Sequence, residues 1–446
     1  MLKVLGTSTL VLPHLLKANN KQISTESLSG IDYIQPEKPI TAILIGAGNR
    51  GSVYASYALS HPEEWKLVGV AEPLPFRNAA YAEKYDIPKQ NRFVTWEHVF
   101  DRPKFADVVI ITTQDALHYG PAMAALEMGY DVLLEKPIAP SWKECYNILK
   151  LAKKKQSIVG IGHVLRYAPY FQKMKQVIAS GEIGEVVHVN HLEPVGYVHF
   201  SHSYVRGPWR NEEESNPVLL AKSCHDLDIL RWIIDQPCNR VSSFGSRKMF
   251  CAEGAPEGAG KRCTECAIEK QCHFSAVRIY LREKRWSTSH FYLETTNDNT
   301  ILNALKTGQY GKCVYHTDND VLESQTINMM FDDTVNVNFS LSAPTSYDGR
   351  RTRIMGTKGN IVGDMQQMEI SGLSGKPTIW TQGNALGGHG GGDLGLVRDF
   401  IQAVSRKDSS LLASRLDESI ESHYIGFKTE ESRHDDGKPV KVKMPT

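Results

Sequence analysis

The chain of 446 residues lacks an excess of charge of either sign, because 51 lysines and arginines face 50 aspartates and glutamates. A formal net charge of +1 gives no indication of nucleic acid or an anionic membrane surface as a partner. The sequence also lacks an apolar run long enough to cross a bilayer. Eight cysteines are too few for a disulfide-stapled scaffold. What is left is ordinary globular composition, 41% hydrophobic, in a chain long enough for two domains.

The N-terminal stretch, residues 1–38, has two interpretations. It reads as an extension that precedes the first domain. Lys3, a short apolar run and Ala18 also resemble a weak secretory signal, although the paired arginines that direct export of folded proteins are absent from this stretch. We therefore expect a cytoplasmic protein, with export to the periplasm as the alternative if the stretch is an incomplete signal.

Short apolar runs alternate with amphipathic stretches between residues 39 and 163. Runs such as TAILIGAG, ADVVIITT and DVLLEKP are typical of strands buried on both faces of a parallel sheet. This alternation predicts a doubly wound Rossmann α/β domain over residues 39–163. Longer runs with alternating polarity follow, and they predict a C-terminal α+β domain over residues 164–446 with a large, mostly antiparallel open sheet.

A glycine-rich turn follows the first predicted strand. Gly46, Gly48 and Gly51 have the spacing that permits a tight turn, close approach of a diphosphate to the backbone, and close packing of helix on strand. Glu72 ends the next strand, 21 residues beyond Gly51, where a carboxylate accepts from the ribose hydroxyls and repels a 2′-phosphate. The turn predicts a dinucleotide site that prefers NAD over NADP, and a purely structural turn is the alternative.

Two further segments carry acid–base candidates. Lys136, in LLEKPI, comes at the carboxyl edge of the predicted parallel sheet, where ligands bind and where burial would lower its pKa. A surface lysine before a helix is the alternative. The helical segment NPVLLAKSCHDLDILRWIID places Lys222, His225 and Asp228 along one side. A carboxylate one turn from a histidine fixes its tautomer and raises its basicity.

In order and spacing, the glycine turn, the acidic end of the second strand, TTQDALH, EKP, GHVLRYAPYF and HDLD resemble the Gfo/Idh/MocA family of NAD(P)-dependent oxidoreductases. The resemblance covers nearly the whole chain from about Lys38. It implies a Rossmann domain, a C-terminal α/β domain whose open sheet forms homo-oligomers, and sugar or cyclitol substrates. It also implies a catalytic lysine, Lys136, often followed by a cis proline, here Pro137.

The resemblance also implies roles for single residues, with Lys136 and His225 as the catalytic pair. The cofactor would contact Gly46, Gly48, Asn49, Arg50, Gly51, Glu72, Thr113, Asp115, His118, Glu135 and His163. The substrate would contact Arg166 and Tyr167, and the residues themselves add Asp228, His389 and Asp393 as further candidates. Many family dehydrogenases have an aspartate four residues before the histidine, where this chain has Ala221, so Lys222 or Asp226 would have to substitute.

Glycines flank His389 on both sides in GGHGGGD, which lets this loop approach a ligand closely. His389 and Asp393 are therefore candidate ligands of sugar hydroxyl groups. Asp393 as the cap of the following helix is the alternative interpretation.

Four of the eight cysteines cluster in a loop-rich insertion at residues 251–273. The pair Cys263 and Cys266 has C-x-x-C spacing, which lets two thiolates bind one metal, and Cys251 and Cys272 would complete a tetrahedral structural zinc site. Such a site can fold a loop that has no core of its own. His273 is a spare ligand, and two disulfides or an iron–sulfur cluster are alternatives.

The sequence thus predicts an NAD-dependent enzyme that oxidises a secondary hydroxyl of a sugar, glycoside or cyclitol. The first alternative is a glycosidase with tightly held NAD, which oxidises its substrate transiently, eliminates the aglycone and returns the hydride without net redox change. The N-terminal stretch and the missing aspartate motivate it. A non-enzymatic dinucleotide-sensing protein is a third interpretation, against which EKP and His225 argue.

Overall fold

A computed structural model describes residues 33–383 and 388–445, so most of the predicted N-terminal stretch lies outside the described residues. The strands are β1 (Ile40–Ile45), β2 (Trp65–Ala71), β3 (Arg92–Phe93), β4 (Val108–Ile111), β5 (Asp131–Leu134), β6 (Val159–Ile161), β7 (Val186–Gly196), β8 (Cys238–Ser246), β9 (Ser324–Phe331), β10 (Val335–Thr345), β11 (Arg351–Gly356), β12 (Gly359–Gly363), β13 (Gln367–Gly372), β14 (Thr378–Thr381) and β15 (Val440–Lys441). The helices are α1 (Asn49–Ser60), α2 (Pro75–Lys84), α3 (Glu97–Phe100), α4 (Tyr119–Glu127), α5 (Trp142–Lys155), α6 (Pro169–Ala179), α7 (Tyr197–Phe200), α8 (Val218–Ala221), α9 (Cys224–Ile234), α10 (Asp298–Thr307), α11 (Gly392–Arg406) and α12 (Leu416–His434).

The first six strands form one sheet in the order β3-β2-β1-β4-β5-β6, and every pair in it is parallel. This is the Rossmann order, in which the order of strand addition reverses between β1 and β4 and leaves a crevice at their carboxyl ends. The strands β4 and β5 are almost wholly apolar because helices cover both faces of the sheet. The prediction of a doubly wound domain is confirmed.

The other nine strands form a second sheet in the order β14-β13-β12-β11-β7-β10-β9-β8-β15. The pair β7 and β10 is parallel, and the other pairs are antiparallel. Buried and exposed residues alternate along β9 and β11, so one face packs on a core that α6 and α9 also line. This confirms the predicted large, mostly antiparallel sheet.

The last two helices return to the Rossmann sheet. Phe400 and Ile401 of α11 are buried in the same core as Leu44 of β1 and Tyr54 of α1. Ile420 of α12 packs into the core on the opposite face of that sheet. The last two helices thus cover both faces of the parallel sheet, while the boundary at residue 163 stays a prediction. None of the helices in the described ranges is long and apolar enough to span a membrane.

An insertion of short turns and one helix, α10, separates β8 from β9. Its own core is small and consists of Cys263, Ala276, Ile279, Tyr280, Ile301 and Leu305 packed on Val198. The insertion also reaches the Rossmann domain, because Arg77 of α2 donates to the carbonyl of Ser289 at 3.3 Å and lies 5.5 Å from the ring centre of Tyr292. It therefore borders the cleft between the two sheets.

Candidate functional site

The glycine turn between β1 and α1 leaves no room for side chains on its inner side. Gly46 has φ of +89°, and a Cβ there would lie 2.8 Å from the carbonyl oxygen of Thr112. A Cβ on Gly51 would lie 2.4 Å from the carbonyl oxygen of Gly46. A Cβ on Gly48, in contrast, would meet no atom of the described residues within 4 Å. The turn is closed on the side of the sheet and open at Gly48.

The start of α1 is free of competing groups. Gly48 is the N-cap of α1 without a side-chain capping bond, and the first turn from Asn49 contains no acidic residue. The first amide groups of a helix have no partner within the helix, and together with the helix dipole they favour an anion. The turn and the helix start therefore fit the diphosphate of a dinucleotide.

Glu72 follows β2 and lies beneath the glycine turn, where a ribose ligand is expected. One of its carboxylate oxygens accepts from the amide of Ala47 at 2.9 Å and the other from the amide of Leu74 at 3.1 Å. Arg77 approaches it only to 4.0 Å. Since each carboxylate oxygen has two lone pairs, these bonds leave acceptor capacity for hydroxyl groups.

Three residues predicted to lie beside the nicotinamide make hydrogen bonds within the protein. Both carboxylate oxygens of Asp115 accept from the indole of Trp209 at 3.1 Å, which ties the Rossmann domain to the C-terminal domain. The ring of His118 is buried between the carbonyls of Pro137 at 2.7 Å and Thr113 at 3.2 Å. The hydroxyl of Thr113 donates within its own loop. These side chains shape the cleft and hold its loops.

Arg50, predicted to contact the diphosphate, has its guanidinium bound to two carboxylates. It donates to Glu135 at 2.6 Å and to Asp393 at 3.0 Å, and the hydroxyl of Tyr54 donates to the same oxygen of Glu135 at 2.6 Å. Burial alone would raise the pKa of Glu135, but the charges of Arg50 and Lys136 hold it below its usual value. This network joins α1, the end of β5 and the start of α11.

Asp393 is held in the first turn of α11 and does not cap the helix. The N-cap is Gly391, without a side-chain capping bond. The carboxylate accepts instead from Arg50 and from Nδ1 of His389, each at 3.0 Å. Burial opposes ionisation of Asp393, yet the hydrogen bond from His389 and the charge of Arg50 lower its pKa to about 2. His389 remains partly exposed, at 36% of its side chain.

Lys136 follows β5, and its peptide bond to Pro137 is cis, as the resemblance implies. Its Nζ donates to the carbonyl oxygen of Ala221 at 2.8 Å. The backbone carbonyl of the residue that stands in place of the family's aspartate thus contacts the ammonium. The amide of Ile138 donates to Nε2 of His423 at 3.0 Å, so histidines from two helical regions hold this loop.

Histidine rings form a continuous row beside Lys136. The ring of His225 lies 5.6 Å from that of His389 and 5.8 Å from that of His163, which lies 5.3 Å from that of His423. In the described part of the chain Nδ1 of His225 and both ring nitrogens of His163 are buried without a hydrogen-bond partner. Burial and the charge of Lys136 lower the pKa of His225 well below its ordinary value. A neutral imidazole with a spare nitrogen can accept a proton.

Three predicted substrate ligands are buried and paired with other groups of the protein. Arg166 donates twice to Asp228, at 2.7 Å each, and the hydroxyl of Tyr167 is paired with that of Ser414 at 3.0 Å. Arg166 and Asp228 are almost fully buried, and a bidentate pair compensates such charges best. In the structure these residues join the end of β6 to α9 and to the start of α12, and their contact with a substrate stays a prediction. Among the five predicted substrate ligands, His389 is the one whose side chain is partly exposed, and its ring lies beside that of His225.

The two proposed substitutes for the missing aspartate have different surroundings. Asp226 is fully buried and accepts from Arg350 at 2.6 Å and from His191 at 3.0 Å. Lys222 pairs with Glu193 at 3.1 Å and keeps 17% of its side chain exposed. Lys222 is therefore the one that can reach a ligand, and Asp226 is part of the C-terminal core.

Sequence reasoning missed several residues at this site. His199 of α7 stacks on Trp286 of the insertion at 4.9 Å, and its pKa is lowered by burial and by the charge of Lys222. His423 of α12 contacts the loop of Lys136. For His199, the available signal in the sequence was the pair of histidines in YVHFSHSYVR. That pair belongs to no motif with known spacing.

The predicted cysteine set is only partly brought together. Cys263, Cys266 and Cys272 line one cavity, whereas Cys251 lies outside it and donates to the carbonyl of Lys248 at 3.2 Å. The fourth thiol of the cavity belongs to Cys313. All eight cysteines lie in the described part of the chain and are free thiols.

Two family models match the chain. The model of the NAD-binding Rossmann fold of the GFO_IDH_MocA oxidoreductase family matches residues 40–163, and that of the GFO/IDH/MocA C-terminal domain matches residues 171–258. The chain belongs to the Gfo/Idh/MocA family. As a member, this Gfo/Idh/MocA protein is an NAD-dependent oxidoreductase, as the resemblance implied. His163 ends the first matched region, and His225 lies within the second.

Individual relatives agree with this placement. The "Putative oxidoreductase YteT" of Bacillus subtilis (strain 168) is 25% identical over 359 residues, which are 76% of this chain and 82% of that protein. The scyllo-inositol 2-dehydrogenase (NAD(+)) of the same organism is 27% identical over 213 residues, 47% of this chain and 58% of that one. The crystal structure of an inositol dehydrogenase homolog with NAD+ from Azotobacter vinelandii has the same fold, with a TM-score of 0.67 at 15% identity over 92% of this chain and 99% of that one.

Proposed function

We propose that this Gfo/Idh/MocA oxidoreductase oxidises a secondary hydroxyl group of a sugar, glycoside or cyclitol with NAD. The observation that supports the proposal best is the buried, unpaired ring nitrogen of His225 beside the charge of Lys136, at the carboxyl edge of the Rossmann sheet. The relatives whose names specify cyclitols, the scyllo-inositol 2-dehydrogenase and the inositol dehydrogenase homolog, support the substrate class.

The residues that would hold the cofactor follow from the open turn. The amides from Gly48 and Asn49 would bind the diphosphate, and Glu72 would accept from the ribose hydroxyls. A carboxylate at that position repels a 2′-phosphate, so we propose a preference for NAD over NADP. When bound, NAD supplies the acceptor for the hydride that leaves the substrate carbon.

The protein's own part in the reaction is to take up the hydroxyl proton and to orient the ring. His225 is kept neutral by burial and by Lys136, so its imidazole can accept the proton. The ammonium of Lys136 can stabilise the oxygen from which that proton leaves. His389, fixed by Asp393 and partly exposed, is the proposed ligand of a second hydroxyl, which would orient the substrate.

The proposal is tested by incubating the protein with NAD and a panel of cyclitols, aldoses and glycosides while NADH absorbance is followed. At least one member of the panel should be oxidised. Lys136→Met and His225→Asn should lower kcat by roughly a hundredfold to ten-thousandfold and leave the Kd of NAD within about twofold. Binding of NAD without oxidation of any polyol, or full activity of both variants, would contradict the proposal.

One observation keeps the hydrolytic alternative in the experiment. Lys136 meets the backbone carbonyl of Ala221 where many family dehydrogenases have an aspartate, so the acid–base set differs from theirs. Nitrophenyl glycosides distinguish the two reactions. Release of nitrophenol without added NAD and without net NADH would identify a glycosidase, whereas accumulation of NADH without release of nitrophenol would identify the dehydrogenase.

A further inference from the structure

Four cysteine side chains line a single cavity inside the insertion between β8 and β9. We propose that Cys263, Cys266, Cys272 and Cys313 bind one structural zinc ion there. The site differs in its fourth ligand from the set expected from spacing alone, which contained Cys251. It is separate from the proposed catalytic residues and does not depend on the proposed function.

The fold brings Cys313 to the other three across a long stretch of sequence. The amide of Cys313 donates to the carbonyl of Lys261 at 2.9 Å, and Arg262 and Lys312 form an antiparallel bridge. Cys263 and Cys266 begin and follow a short 3-10 turn directly after this bridge. The cavity is therefore built from two backbone segments that are hydrogen-bonded to each other, as the fixed distances of a metal site require.

The size of the cavity favours a single ion. The centre of a water-sized sphere can move within about 10 Å³ there, which is about the minimum that accommodates one water molecule. Among the described residues, no three of these sulfur atoms all lie within 4.8 Å of one another. Zinc at about 2.3 Å from each sulfur would hold the sulfurs about 3.8 Å apart, so the thiols must rotate inward on binding.

A buried cation beside the thiols supplies the second observation. Arg206 is 1% exposed and lines the same cavity. It donates to the sulfur of Cys263 at 3.5 Å and to the carbonyl of Phe274 at 2.7 Å, yet its Nη1 has no hydrogen-bond partner in the described part of the chain. Four thiolates around Zn²⁺ carry a net charge of −2, which would compensate this buried guanidinium.

The insertion has a reason to need such a site. Its own core contains few buried side chains, and a small unit of this kind is commonly stabilised by a metal. The segment between Cys272 and Cys313 carries Trp286, which stacks on His199, and Tyr292, which lies against Arg77. Zinc would therefore fix the part of the insertion that borders the cleft, without touching the reacting atoms.

Metal analysis of the purified full chain tests the site. We expect about one zinc per chain in the wild type and in the matched control Cys251→Ser, and less than about one tenth in Cys266→Ser and Cys313→Ser. Loss of zinc from Cys251→Ser with retention in Cys313→Ser would overturn the ligand set. Iron in place of zinc, or a non-reducing mass that shows disulfides among these four cysteines, would overturn the proposal.

Cobalt substitution of the wild type keeps the test valid if the serine variants do not fold. The wild-type protein loaded with Co²⁺ should show intense thiolate-to-cobalt charge transfer and X-ray absorption that fits four sulfur ligands at about 2.3 Å. Nitrogen or oxygen ligands in that fit, or no cobalt bound, would reject the four-cysteine site. The spectrum of loaded Cys251→Ser should be unchanged.

Discussion

Replacing Asp393 by asparagine is expected to loosen the network that joins the Rossmann strands to the loop of His389. The side chain of Asp393 is 3% exposed, and its carboxylate accepts from Arg50 and from His389 at 3.0 Å each. Burial opposes ionisation, but the hydrogen bond from His389 and the charge of Arg50 prevail and lower the pKa from 3.8 to about 2. At about 1.4 kcal/mol per pH unit, this difference corresponds to roughly 2 kcal/mol.

The sign of the effect follows from the direction of the pKa. Because the pKa of Asp393 is lower in the folded protein than its ordinary value of 3.8, the carboxylate stabilises the fold above that pH. The contribution is lost as the pH falls from about 4 to about 2. Asparagine does not titrate. The free energy of unfolding of Asp393→Asn should therefore be lower than that of the wild type by roughly 2 kcal/mol at pH 7, and the difference should shrink toward pH 3.

Urea unfolding followed by tryptophan fluorescence at neutral and acidic pH measures this difference. Asp399→Asn is the matched control, because Asp399 lies on the same helix and is also buried, but burial raises its pKa despite the charge of Arg398. Removal of that carboxylate should cost no stability at neutral pH. An Asp393→Asn protein as stable as the wild type at pH 7, or a difference that stays constant as the pH falls, would refute the reasoning.

Four shorter predictions concern the cofactor, the base and the assembly. Gly48→Ala should fold normally, since its Cβ meets no protein atom, and should bind NAD at least tenfold more weakly in calorimetry. Glu72→Ser should shift the ratio of kcat/KM values toward NADP by about tenfold. The acidic limb of kcat/KM against pH should lie below 6.5, and a limb at 6.5 that His225→Asn removes would contradict the lowered pKa of His225. If the outer face of the nine-stranded sheet forms the predicted homo-oligomer, Val362→Lys should yield monomers in light scattering.

The features that could be predicted from the sequence are those that depend on residues close together in the chain. Buried parallel strands appear as unbroken apolar runs. The turn requires glycine at positions 46 and 51, because a Cβ at Gly46 or Gly51 would collide with a backbone carbonyl. The location of Lys136 after β5 follows from the same strand pattern. Local sequence was sufficient to predict these features, because the pattern that indicates each of them lies within one strand and the turn that follows it.

The features that could not be predicted depend on pairs far apart in the chain. Arg166 and Asp228 are 62 residues apart, and either one alone resembles a substrate ligand until their mutual burial is known. Ile138 and His423 are 285 residues apart. Cys313 stands outside the dense cysteine run, so spacing favoured Cys251 in its place. Fold topology, which spacing does not encode, decides these partners.

The pairing of charges around the cleft explains why Lys136 stands out. Glu135 and Asp393 are both bound by Arg50, and Asp228 is bound by Arg166. Within the described ranges Lys136 has no carboxylate within 4.0 Å and donates to a neutral carbonyl. A positive charge that no carboxylate contacts directly, on a fixed loop, can interact strongly with negative charge that develops on a substrate oxygen. The arginines thus neutralise the nearby carboxylates and leave the charge of Lys136 to act on the substrate and on His225.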